Sequence, residues 1–309
     1  MQRLTAQGSS VARFQRKLVL VLVLAVPALG WLAWQWRASP LVAAAPLLVV
    51  WAALALVLAA EFVALAVAGR GDPAPRPTAL QLGIAWWRSI RLNAIVFGWW
   101  QPFRWRAVPD QLPRPGAPVR RGVVLVHGFV CNRGFWMPWL KLLRRRGVPF
   151  IAVNLEPAFG SIDDYPPLIG QAVRRLTEAT GAPPLLVCHS MGGVAARAWL
   201  RGTDSATAVH HVVTIGSPHR GTWIGRFSRA ANGRQLRQGS AWIEALARAA
   251  PAAAGTPFTC WYSNCDNMVF PVSTATLPGA DNRLLPGAGH LELAYRLEVM
   301  NGVLALLER

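Results

Sequence analysis

Hydrophobic and polar positions change rhythm twice along this chain. Leu18 to Trp36 runs nineteen residues without a charge, and Leu41 to Ala60 runs twenty. At 1.5 Å rise per residue each run extends about 30 Å, the thickness of a bilayer's hydrocarbon core, so the pattern predicts two spanning helices. Pro27 and Pro46 would break soluble helices but are tolerated in spanning ones. Arg37, Ala38, Ser39 and Pro40 alone separate the runs, which requires a tight hairpin; Trp31, Trp34 and Trp36 gather near its turn, as aromatics at a membrane interface do. Glu61 follows the second run and is expected at the interface. A cleaved signal peptide followed by one anchor is the competing reading. The first run is longer than the roughly 7–15 residues of such a segment, and no small-residue cleavage site follows it before Pro40.

Residues 70–78 form a proline-rich linker. Ala79 to Trp105 then interleaves Trp86, Trp87, Trp99, Trp100 and Trp105 with Arg88, Arg91 and Arg104. This suits a helix in the headgroup layer, and equally a segment packed on the following domain. From Arg120 the rhythm becomes short apolar runs separated by longer amphipathic ones. Gly122 to Val126, Pro149 to Val153, Pro184 to Cys188, His211 to Ile215 and Pro257 to Tyr262 read as buried strands. Phe135 to Arg146 and Pro167 to Thr180 read as helices between them. Such alternation predicts a mostly parallel sheet with helices on both faces. The expected organisation is a membrane anchor over 1–69 (spans about 18–36 and 41–60), a linker and amphipathic segment over 70–118, and a globular domain over 119–309.

The third predicted strand runs into His189-Ser190-Met191-Gly192-Gly193 and then an alanine-rich helical stretch, Val194 to Leu200. Strand, sharp turn and helix around a serine are what a nucleophile elbow requires, because the turn must lift Oγ above the sheet. Small residues two before and two after let strand and helix approach; here they are Cys188 and Gly192, a cysteine standing where glycine is usual. An N-cap role would explain Ser190 alone. It would not explain the first strand ending in Val126-His127-Gly128-Phe129, the form of a loop that donates a backbone N–H to an oxyanion. The expected donors are the amides of Phe129 and Met191, worth about 3–4 kcal/mol each in related chemistry.

Asp266 and His290 follow in the chain order expected of such a triad, each in a loop after an apolar run. Asp266 would orient His290, and His290 would relay the proton of Ser190. His219 is the rival base but precedes Asp266; Asp281 is the rival acid but stands close to His290 in sequence. His127 and His189 belong to the oxyanion loop and the elbow.

Residues 119–309 resemble bacterial triacylglycerol lipases and related α/β-hydrolase esterases. The resemblance rests on Val126-His127-Gly128-Phe129, His189 to Gly193, Ile215 to Thr222, Arg234 to Ser240, and the Asp266 and His290 loops. It implies an α/β-hydrolase fold, ester hydrolysis through an acyl-serine, and no cofactor; some such lipases bind calcium, but no calcium ligand set is recognisable here. An insertion over about 222–257 carries Trp223, Ile224, Phe227, Trp242 and Ile243 beside Arg226, Arg229, Arg234 and Arg237. Caps of this kind shape an acyl pocket, for a lipid-like ester drawn from the bilayer or for a small soluble one.

Composition narrows the partners. The formal charge is +18, +9 from residues 1–118 and +9 from 119–309. With no nucleic-acid motif and no zinc-like Cys and His spacing, anionic lipid headgroups are the expected partner rather than nucleic acid. Cys131, Cys188, Cys260 and Cys265 do not form a disulfide framework, although Cys260 and Cys265 are near enough to pair. Arg3, Arg13, Arg16 and Lys17 before the first span, and Arg70, Arg76, Arg88 and Arg91 after the second, outweigh Arg37 in the turn. The positive-inside tendency then predicts a bacterial inner-membrane protein with its globular domain in the cytoplasm. Acyl transfer or thioester hydrolysis would use the same triad. A non-catalytic scaffold would predict a degraded one, and two spans are too few for a transporter.

Overall fold

The computed structural model describes residues 8–36, 39–114, 116, 118–202, 208–249 and 255–308. Arg3, and Arg37 and Ala38 of the predicted hairpin turn, lie outside them. The two apolar runs form helices α1 (Ser10–Gln35) and α2 (Pro40–Ala68), with Ser9 and Ser39 accepting the N-cap hydrogen bonds. Both are long and apolar enough to cross a membrane. They pack closely where Gly30 faces Ala43: a side chain there would come within 2.7 Å of the Ala43 carbonyl oxygen.

Each helix outruns its apolar run. Helix α1 begins before Leu18, and its first turns pack on the globular domain: Ser10 bonds the Glu156 carboxylate (2.7 and 2.6 Å), and Arg16 donates to the Pro102 carbonyl (2.9 Å). Helix α2 continues past Glu61, which therefore lies inside the helix. Phe62 and Leu65 are buried against Cys265, Phe270 and Val272, so this last stretch is fixed by packing on the domain.

Helix α3 (Ala79–Ile95) opens on a reciprocal cap between Thr78 and Gln81 and passes into a π-helical stretch, Val96–Arg104. It buries Ala85, Ser89 and Ile90 while exposing Leu80, Ile84 and Trp87.

The sheet contains six parallel strands: β1 (Val123–Val126), β2 (Phe150–Val153), β3 (Leu185–His189), β4 (His211–Ile215), β5 (Phe258–Tyr262) and β6 (Asp281–Leu284), in the order β2-β1-β3-β4-β5-β6. The five apolar runs supply the first five. Side chains alternate between the two faces. Val124, Val126, Ile151, Leu186 and Cys188 pack beneath α5 (Pro166–Thr180) and α6 (Met191–Leu200). Val123, Leu125, Phe150, Leu185 and Val187 face α4 (Met137–Arg145) and, near the C-terminus, α10 (Leu297–Leu307). Burial on both faces is why these strands read as continuous hydrophobic runs. The insertion after β4 holds a 3-10 turn (Trp223–Phe227) and two short helices, α7 (Ala231–Gln235) and α8 (Ala241–Ala249). The short helix α9 (His290–Leu293) follows β6.

Candidate active site

From β1 the chain moves to one side for β2 and returns to the other for β3, so the strand order reverses at β1. In open parallel sheets the crevice outside the carboxyl ends of the strands at such a reversal is the natural place for a site. His127, Gly128 and Phe129 leave β1 there, and Ser190 leaves β3.

Ser190 occupies the single residue between β3 and α6, with φ 54° and ψ −129°. Positive φ in a residue with a Cβ costs free energy and persists only where its surroundings enforce it. The enforcement is visible. The Ser190 amide donates to the Ile215 carbonyl of β4 (2.9 Å), extending the ladder up to the turn. Gly192 lets the helix reach β1: a Cβ there would lie 2.5 Å from the Val126 oxygen and 2.7 Å from that of His127. A Cβ at Gly128 would lie 2.8 Å from the Ser190 Cβ, so the turn after β1 and the turn at Ser190 touch. Met191 begins α6, where first-turn amides have no intrahelical acceptor and face outward for another.

Asp266 and His290 meet. Nδ1 of His290 lies 2.9 Å from both Oδ1 and Oδ2 of Asp266, and both residues are buried. A carboxylate accepts, so Nδ1 carries the proton and Nε2 presents its lone pair. Oδ1 also accepts the amides of Met268 (2.9 Å) and Val269 (2.8 Å), which orient the carboxylate. Ser190 stands beside this pair through its neighbours. The ring of His189 lies 4.5 Å from that of His290, and its Nε2 is 3.2 Å from the His290 carbonyl oxygen. Gly216, next after Ile215, has φ 55°, and a Cβ there would lie 2.8 Å from Asp266 Oδ2 and 3.2 Å from His290 Nδ1.

The rival groups are placed elsewhere. His219 is fully buried, with Nε2 3.0 Å from the Thr214 hydroxyl; burial, then Arg197 and Arg220, hold its pKa well below the usual value. Asp281 is on β6, exposed and paired with Arg283 at 2.6 Å. His127 accepts the Leu155 amide at Nε2 (3.1 Å), so Nδ1–H donates to the Gly128 carbonyl (2.9 Å); burial lowers its pKa to about 4. It is a neutral strut of the turn after β1. His189 stacks on Phe135 at 4.4 Å, and burial followed by the nearby His290 holds it neutral too.

Two features were missed by sequence reasoning. Val130, after Phe129, has φ 53°, and its carbonyl accepts Gln15 Nε2 from α1 (3.3 Å). Asn267 accepts the His290 amide at Oδ1 (3.1 Å) and donates from Nδ2 to Glu61 Oε2 (2.6 Å). Asparagine after the candidate acid was the only signal, and it named no partner.

Residues 123–266 match the alpha/beta hydrolase family. The mature form of Bacillus licheniformis lipase BlEst2 superposes with TM-score 0.56 at 17% identity, covering 64% of this chain and 96% of that one. Its propeptide form gives 0.55 at 18%, covering 63% and 52%. The fold is that of the α/β-hydrolases. In this chain the position two before the serine is Cys188, wholly buried under α6. Its side chain points into the core, so the departure from glycine leaves the elbow intact. All four cysteines are free and buried, Cys260 and Cys265 among them. Among the described residues, no three His, Cys, Asp or Glu side chains converge as a metal site.

Proposed function

We propose that this chain is a membrane-anchored serine hydrolase that cleaves carboxylic esters with lipid-like acyl groups. The observation that carries the reading is the buried Asp266–His290 pair packed against His189 and Gly216, with the residue after His189 a serine held at φ 54°. Ser190 is the nucleophile. His290 Nε2 takes its proton as Oγ bonds to the ester carbonyl carbon, and Asp266 stabilises the imidazolium. The amides of Phe129 and Met191 hold the negative carbonyl oxygen. The C–O bond to the alcohol breaks as His290 returns the proton to it, leaving an acyl-serine. Water, deprotonated by the same imidazole, attacks the acyl carbon; the bond to Oγ breaks as His290 returns that proton to it, releasing the acid and free Ser190.

Residues 1–69 are the anchor, 70–118 join it to the domain, and 119–309 carry catalysis beneath a cap at about 222–257. Both α1 at its start and α2 at its end contact the globular domain, as a hairpin with two ends on one side demands. Charge asymmetry puts that side in the cytoplasm of a bacterial inner membrane, with anionic headgroups as lipid partners. Exposed Phe159, which meets Phe129 edge-on at 5.8 Å, and exposed Phe227 in the cap favour an apolar acyl group.

Hydrolysis of p-nitrophenyl esters from two to sixteen carbons, by the full chain in detergent with Ser190→Ala beside it, tests the reading. The expected result is activity lost in the variant and greatest on longer chains. Full activity in a folded Ser190→Ala protein overturns it.

A further inference from the structure

Helix α2 carries one charged side chain between Pro40 and Ala68, Glu61. A carboxylate in an apolar helix is costly, and its burden is reduced by a specific partner. The partner is Asn267: its Nδ2 lies 2.6 Å from Glu61 Oε2, across 206 residues of sequence. Asn267 is buried and adjoins Asp266. Its other amide atom, Oδ1, accepts the backbone N–H of His290 at 3.1 Å.

The two ends of this amide are not equivalent. Glu61 presents an acceptor, which draws NH2 towards the helix and leaves the carbonyl oxygen facing His290. Turned over, the amide would set its NH2 against the His290 N–H, donor against donor. Glu61 thereby selects the orientation in which Asn267 holds the start of α9, where His290 sits. Phe62 and Leu65, one residue and one turn further, pack on Cys265 and Phe270 of the same loop, so the carboxylate is delivered from a fixed backbone.

We propose that Glu61 is a positioning residue for the hydrolase: a side chain of the second apolar helix that, through Asn267, sets where His290 stands relative to Ser190. The inference rests on the serine-hydrolase reading above. It makes the hairpin part of the catalytic scaffold as well as its tether.

The test is steady-state kinetics on the full chain in detergent, comparing wild type, Glu61→Leu, Glu61→Gln, Asn267→Leu and the double variant Glu61→Leu/Asn267→Leu, with Ser190→Ala as reference. Glutamine keeps an acceptor oxygen for Asn267; leucine does not. Misplacing a catalytic group by about 1 Å costs on the order of 100-fold. Glu61→Leu is therefore expected to lower kcat by about 10- to 100-fold with KM within about twofold. Glu61→Gln should stay within about threefold of wild type, and the double variant should fall no further than Asn267→Leu alone. Two outcomes overturn the positioning role while the hydrolase reading stands. One is Ser190-dependent activity untouched by Glu61→Leu. The other is a loss that glutamine does not rescue and Asn267→Leu adds to in full. Ester hydrolysis that survives Ser190→Ala removes the hydrolase reading, and the positioning role with it.

Discussion

Asp266 receives the Nδ1 proton of His290 with both carboxylate oxygens at 2.9 Å, while the Met268 and Val269 amides hold its Oδ1 from behind. The carboxylate therefore fixes the ring's tautomer as well as its angle. Asparagine at this position would present either an NH2 to the ring or a weaker acceptor, favouring the tautomer with the proton on Nε2, where the proposed mechanism requires a base. Asp266→Asn is expected to fold and to lower kcat by about 10,000-fold, the scale of the equivalent change in a serine triad. Titration of ester hydrolysis in purified variant and wild type measures it; a loss under tenfold would show that another carboxylate serves His290.

Gly216 touches the same pair from the sheet. Its φ of 55° disfavours any side chain, and a Cβ would enter 2.8 Å from Asp266 Oδ2. Gly216→Ala should lower kcat by about 100-fold, because the acid–base pair must give way by a fraction of an ångström. Wild-type kcat in Gly216→Ala, with an unchanged melting temperature, would contradict this packing.

These two predictions also mark what the sequence could and could not say. Five strands were legible because both their faces are buried and their residues are uniformly apolar. The sixth was not: Asp281, Asn282 and Arg283 are exposed on the sheet's edge, and only their ladder to β5 makes them a strand. The pairing of Asp266 with His290 was legible from their order along the chain. Val130 was not, since a β-branched residue argues against positive φ and is held there by its surroundings. Nor was the contact of Glu61 with Asn267: an apolar run ends at its first charge, whereas tertiary packing of Phe62 and Leu65 carries the helix on.

Cys188 separates the elbow's shape from its chemistry. Restoring the usual glycine empties a fully buried position and loosens a central strand. Cys188→Gly is expected to destabilise by about 1–3 kcal/mol in chemical unfolding while kcat stays within about twofold. A large fall in kcat at full stability would mean that the cysteine takes part in positioning Ser190.

The burial of all four native cysteines makes topology directly measurable, since background labelling is low. Ser39 caps α2 beside the turn, and Arg248 is exposed on α8. In intact cells an impermeant thiol reagent is expected to label Ser39→Cys from outside the inner membrane. It should reach Arg248→Cys only after permeabilisation. The reverse pattern would put the globular domain outside, against the charge asymmetry.

His127 links pH to stability through the turn after β1. Burial lowers its pKa from 6.5 to about 4, so the folded protein holds the neutral ring that accepts the Leu155 amide and donates to Gly128. Between those two values the unfolded chain binds a proton that the folded chain does not. Stability from this residue is therefore complete above pH 6.5 and is lost as pH falls towards 4. The full effect is on the order of 3 to 4 kcal/mol, from the linkage of roughly 1.4 kcal/mol per pKa unit over this shift. His127→Gln cannot titrate. Its melting temperature should start lower at neutral pH yet fall less between pH 7.5 and 4.5 than that of wild type, the remaining slope belonging to groups such as His189 and His219, whose pKa values burial also lowers. Parallel curves for the two proteins would mean that folding leaves the pKa of His127 unshifted, against the buried neutral ring bonded to the Leu155 amide.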